Sequence, residues 1–207
     1  MTVHTWPRRR LLAASMLLPL SLAACGTGDT PPQSFPPVSY DYLTKLRLNV
    51  ASIDIDDSLR PNPDPRDVTR LAPIPPIDAL RQMAQDRLVA AGSAGRAVFV
   101  IDQASIVQVR DRYEGRMVVH LDVMTSDGAK TGYAEARVSR TSTFDNDGPN
   151  ATRAALNTLV NQMMTDINVE FEFQVRRTLR DYLEKTAPAA PAPKPIQSED
   201  LAPPPKL

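Results

Sequence analysis

Hydrophobic residues recur along this chain with two different periods, and the switches between them predict its elements. Leu46, Leu48 and Val50 share one face of an extended segment, and Ile53 and Ile55 take the other. Residues 46–55 therefore read as a strand whose phase changes near Ala51-Ser52, the mark of a bulge or of cover on both sides. From Pro76 to Gly92 the period lengthens. Ile77, Leu80, Ala84, Leu88 and Ala91 recur at three and four, with Arg81, Gln85 and Asp86 off the stripe. Proline suits a first helical turn and glycine the position just past a helix end, so these two bound a helix. Alternation then returns three times. Residues 97–109 are rich in valine and isoleucine and apolar on both faces in their first half, which predicts a central strand. Met117, Val119, Leu121 and Val123 alternate with Val118, His120 and Asp122. After a hairpin turn at Asp127-Gly128, Ala134, Ala136 and Val138 alternate with Tyr133, Glu135 and Arg137. Small alanines on the inner face predict a helix packed close against them. The last and longest element begins at Asn150 and runs to about Leu183. Its stripe is Leu156, Val160, Met163, Ile167, Phe171, Val175 and Leu179.

The order strand, helix, three strands, helix predicts an α+β fold: a four-stranded, mainly antiparallel sheet with two helices packed on one face. It occupies one domain over residues 44–185, and no internal repeat is visible. Apart from Pro76 and Pro149, the 20 prolines collect at the two ends and in one internal loop. Residues 25–43 read as a tether. Residues 186–207 form an alanine-proline tail with too little apolar surface to fold. The internal loop, 56–75, carries Pro61, Pro63, Pro65, Pro73 and Pro75 and can be neither helix nor central strand. A loop of this length inside a domain is unusual and is commonly functional or irregular.

The first 24 residues have the parts of a secretion signal: basic Arg8, Arg9 and Arg10, then an apolar run over 11–24 ending in Ala23 and Ala24. The run is shorter than the roughly 20 apolar residues a spanning helix needs. Cys25 follows at once and is the single cysteine of the chain, which leaves neither a disulfide nor a cysteine metal site to form. Leu22-Ala23-Ala24-Cys25 resembles the lipobox of bacterial lipoproteins. The resemblance implies cleavage between Ala24 and Cys25, a diacylated thiol and an acylated new amino terminus. Two or more acyl chains hold a protein on its leaflet stably, each buried methylene adding about 0.8 kcal/mol. In enterobacterial lipoproteins an aspartate after the cysteine favours the inner membrane. Gly26 and Thr27 stand here instead, so the resemblance points to the periplasmic leaflet of the outer membrane. Arg8-Arg9-Arg10-Leu11-Leu12 also resembles a twin-arginine signal, and both export routes stay open.

Charge excludes one class of partner. The 207 residues hold 24 basic and 24 acidic groups, and residues 1–24 contain three arginines and no acid, so removing them leaves 21 against 24. A slightly acidic protein with scattered charge lacks the clustered lysine and arginine that phosphate backbones require. Candidate chemistry is thin. His120 is the only histidine after the signal and shares a strand face with Asp122. Such a pair can orient a general base for a serine, yet neither Ser105 nor Ser139 lies in a nucleophile-elbow sequence. A polar pair on a solvated sheet face is the plainer reading. Asp54, Asp56, Asp57, Asp64 and Asp67 lack the glycine and closing glutamate of a calcium loop. No cofactor and no metal are expected. On the long helix, Val169 and Phe173 fall opposite the main stripe beside Arg176 and Arg180. An apolar pair ringed by arginine marks a candidate partner surface; the alternative is a second small core under the tether or the proline loop.

Behind a lipobox, this order of elements resembles the small auxiliary lipoproteins of ABC-type lipid and lipopolysaccharide transport. Arg87-Leu88-Val89-Ala90-Ala91-Gly92 and Val98-Phe99-Val100-Ile101-Asp102 resemble a group of uncharacterised alphaproteobacterial lipoproteins. The resemblance covers residues 44–184 in architecture and carries over no functional residue beyond Cys25. It implies a non-enzymatic envelope component that binds or scaffolds a protein partner, in an oligomeric state left open. The alternatives are a periplasmic hydrolase using His120 and Asp122, and a structural tether between membrane and cell wall.

Overall fold

In the computed structural model the described residues are 34–143 and 148–184. Pairing begins with two short strands, β1 (Leu46–Leu48) and β2 (Ser52–Asp56), separated by a bend at residues 49–51. Helix α1 (Pro76–Arg87) follows the proline loop, then β3 (Leu88–Ala90), the long strands β4 (Arg96–Val109), β5 (Arg112–Met124) and β6 (Lys130–Thr143), and helix α2 (Pro149–Thr178). The main sheet has the order β2-β4-β5-β6, with β2 parallel to β4 and the other pairs antiparallel. Both helices lie on its inner face, α2 across β5 and β6, α1 against β4. The expected α+β architecture is the one observed.

Two expectations need correction. The single strand over 46–55 is two strands in two sheets, because β1 pairs in parallel with β3 rather than continuing along β4. The change of phase read at Ala51-Ser52 is this bend. Across it the chain stays hydrogen bonded: Gly92 N–H donates to Val50 O at 3.0 Å and Ala51 N–H to Gly95 O at 3.0 Å. A Cβ on Gly92 would stand 2.5 Å from the Asn49 carbonyl carbon, so the two backbones meet this closely only because residue 92 is glycine. Gly92 therefore serves this crossing and does not end the helix. Helix α1 stops at Arg87, where Leu88 turns extended (φ −90°, ψ 129°). Leu88 is buried in either conformation, so periodicity cannot tell the two apart, whereas the open edge of β1 can.

The core sits between the sheet and the helices. Every residue of the predicted α2 stripe, from Leu156 to Leu179, is fully buried. Phe171 on that stripe meets Phe99 of β4 edge to face, with centroids 5.4 Å apart at 87°, worth about 0.5–1.5 kcal/mol beyond burial. Ala134 and Ala136 are buried beneath α2, as their size predicts, and Gly115 of β5 lets the helix closer still. With 30 residues, α2 is about 45 Å long; it ends at Thr178, ahead of the expected Leu183, in a single 3₁₀ turn at Arg180–Tyr182. Ahead of β1 the chain already packs: Tyr40 is buried and its N–H donates to Asp86 Oδ2 at 2.7 Å.

One polar group is buried in this core. Arg87, at the last position of α1, is 1% exposed. Its guanidinium donates to Thr44 O (3.1 Å), to Asn168 O (3.0 Å) and Oδ1 (3.1 Å), and to Glu172 Oε2 (2.5 Å). Every one of these partners belongs to a different element from α1, so a single side chain ties α1, α2 and the entering chain together. Burial pushes the Glu172 carboxyl up, but the hydrogen bonds from Arg176 and Arg87 outweigh it and hold the group below its ordinary range.

Candidate functional site

Cys25 and Ala24, the expected lipidation and cleavage residues, lie outside the described residues, as do the signal over 1–24 and the tail over 186–207. Three features of the described domain bear on function.

The first is the outward face of α2. Val169 and Phe173 stand two residues beyond the buried Ile167 and Phe171, a rotation of about 200° that turns them away from the sheet. They are 69% and 53% exposed, and no second core covers them among the described residues. Arg176 donates to Glu172 at 2.8 Å, and Arg180 comes within 3.9 Å of Asp181. The cation closest to the pair is one the sequence reading passed over: Arg177 lies 5.7 Å from the Phe173 ring centroid. Helical spacing alone places Arg177 beside Phe173, so the signal was present.

The second is the outer face of the sheet. His120 and Asp122 do share it, but the short contact of His120 is Nδ1 to Asp102 Oδ2, at 2.6 Å. Asp122 stands 3.8 Å from Nε2, beyond hydrogen-bond range, and is paired with Lys130 Nζ at 2.7 Å. Tyr133 packs over the histidine, with ring centroids 5.4 Å apart, and its hydroxyl bonds to Glu135 at 2.5 Å. Burial, then the charges of Asp102 and Asp122, push the Tyr133 hydroxyl up. Arg137 also bonds Glu135. Asp102 escaped the sequence reading because it is the extra residue of a β-bulge between Ile101 and Gln103, which turns it toward a neighbour 18 positions away. The hydrolase alternative needs a hydroxyl at Nε2. Ser105 and Ser139 both sit opposite Arg116, four residues along β5 from His120, roughly 14 Å away. Ser105 accepts from Gln103 at 3.2 Å. The arrangement binds charge and does not assemble a nucleophile.

The third is a groove of about 790 Å³ between the proline loop and β4. Its walls include Leu59, Val68 and Ile77, with Arg60 and Arg70 at the rim and Ala104 of β4 on the floor. The loop acids are engaged elsewhere: Asp57 with Arg81, Asp67 with the Thr69 N–H at 2.9 Å, and Asp64 with Arg66 at 2.7 Å. The Arg66 hydrogen bond is the main reason the Asp64 carboxyl is lowered to about 2. No group of three or more His, Cys, Asp and Glu able to hold a metal occurs among the described residues.

No family model matches the chain, and no curated protein matches it in sequence. Among solved structures it is similar to a Xanthomonas campestris protein of the DUF330 family, at 10% identity and a TM-score of 0.33 over 67% of this chain and 88% of that one. It is also similar to a candidate lipoprotein from Caulobacter crescentus CB15, at 17% identity and a TM-score of 0.25 over 47% of this chain and 80% of that one. A minor lipoprotein from Acinetobacter baumannii shows 12% identity and a TM-score of 0.29 over 67% and 99%. At such values the reading of this chain rests on its own residues.

Proposed function

We propose that this chain is a bacterial envelope lipoprotein, held to the membrane by acyl groups on Cys25, that acts by binding rather than by catalysis. The observation that carries the reading is positional: the sole cysteine stands where a secretion signal ends, directly after Leu22-Ala23-Ala24. The domain then serves as a knob on a tether, and the outward face of α2, with Val169 and Phe173 between Arg176 and Arg180, is its contact surface for a protein partner. Non-enzymatic action is supported by the His120 surroundings, which are carboxylates and an aromatic ring with no serine in reach. The order of elements behind the lipobox supports a finer reading, an auxiliary role in lipid transport at the outer membrane.

The test is fractionation with metabolic labelling by a palmitate analogue. The wild-type chain is expected in the membrane fraction and labelled. Cys25→Ala is expected to be unlabelled, with its domain still folded. A Cys25→Ala chain as firmly bound to membranes as the wild type would contradict the proposal.

A further inference from the structure

The proline loop leaves one stretch of sheet edge open. Strand β2 covers β4 from Arg96 to Val100. Further along, the loop takes over: Val68 N–H donates to Ile106 O at 2.9 Å, Gln108 N–H donates to Arg66 O at 2.9 Å, and Thr69 Oγ1 accepts from Ile106 N–H at 2.8 Å. Between these two covers, over residues 101–105, no strand lies against this side of β4. Backbone groups alternate in direction along a strand, so Ala104 N–H and C=O point the same way as those of Ile106, into the groove. An unpaired edge within an apolar groove is a template for an added strand. The rim carries charge of one sign, since Arg60 and Arg70 have no acid within ion-pair distance among the described residues.

The chain itself contains a segment of matching chemistry. Proline cannot donate to a ladder, and proline interrupts the tail at 188, 191, 193, 195 and 203–205. The window 196–202, Ile-Gln-Ser-Glu-Asp-Leu-Ala, is free of it and holds the tail's acids, Glu199 and Asp200. Glu184, the last described residue, is bonded through its N–H to Arg47 O at 2.8 Å. Leu59, at the groove's near wall, is twelve residues on from Arg47, at most about 40 Å along an extended chain and less across the bend at 49–51. The linker 185–195 spans about 34 Å if polyproline-like, a comparable reach.

We propose that residues 196–202 add as a strand to the open edge of β4 in the groove beneath the proline loop, with Glu199 and Asp200 against Arg60 and Arg70. This does not depend on the lipid anchor. The tail thereby closes the groove, and a partner segment with the same features would have to displace it.

The test is hydrogen exchange by mass spectrometry on the full mature chain. The amides of 196–202 and of Ala104 are expected to be protected. Glu199→Lys with Asp200→Lys should speed exchange at both places by about tenfold, the scale of two exposed ion pairs. Arg60→Glu with Arg70→Glu should do the same. All four together should restore protection, and the β5–β6 pairing should be unaffected throughout, because the arginines are exposed. Wild-type amides of 196–202 exchanging at free-chain rates, with Ala104 indifferent to all four changes, would overturn the proposal.

Discussion

Replacing Arg87 by methionine tests how this fold is tied together. The side chain is 1% exposed and its contacts reach α2 and the entering chain. Methionine fills much of the same volume and donates nothing, so Thr44 O, Asn168 O and Asn168 Oδ1 each lose a donor. Removing one member of a buried ion pair costs about 3–5 kcal/mol. Glu172 is 31% exposed and keeps Arg176 at 2.8 Å, which places the expected loss at the lower end, about 3 kcal/mol. For a domain of this size that corresponds to a fall in Tm of roughly 6–12 °C. Urea unfolding followed by circular dichroism measures it, with an unchanged m-value showing that stability alone has moved. The effect should depend on pH. Glu172 has its folded value lowered from 4.5, so the stability it contributes is complete above that value and is lost as pH falls through the folded one. The gap between wild type and Arg87→Met should therefore narrow as the pH drops below about 4.5. A loss under about 1 kcal/mol near neutrality, or a gap that widens in acid, would refute the reasoning.

Three further outcomes follow from the packing and the surface. A Cβ at Gly115 would stand 2.4 Å from Met163 Sδ, so Gly115→Ala should cost about 1–3 kcal/mol by thermal unfolding, and adding Met163→Ala should recover part of that cost. Val169→Asp with Phe173→Asp should change stability by less than about 0.5 kcal/mol, since both are exposed, while abolishing crosslinks to the envelope partner in intact cells. His120→Ala should behave as wild type in growth and cost under about 1 kcal/mol, the worth of its half-exposed bond to Asp102; loss of cellular function with stability intact would bring back a chemical role.

What the sequence made legible was whatever depends on periodicity. The α2 stripe, the β5 and β6 faces and the close approach over Ala134 and Ala136 all follow from which side chains recur together, and each is buried as spaced. What stayed hidden depends on pairings between distant residues. Arg87 reads as an ordinary charged residue at a helix end until Asn168, 81 positions away, is placed beside it. Asp102 reads as one acid in an apolar strand until the bulge turns it toward His120. Leu88 satisfies a helix period and a strand alike, and only the free edge of β1 decides between them. Val169 and Phe173 were legible because they break a period, and a break in period is itself visible in a single sequence.

The acyl anchor is tested most directly by the mass of the amino-terminal tryptic peptide recovered from cell membranes. The account predicts a peptide of residues 25–45, beginning at Cys25 and carrying a diacylglyceryl group on its sulfur. A soluble chain whose first peptide still begins within residues 1–24, with Cys25 as a free thiol, would contradict it.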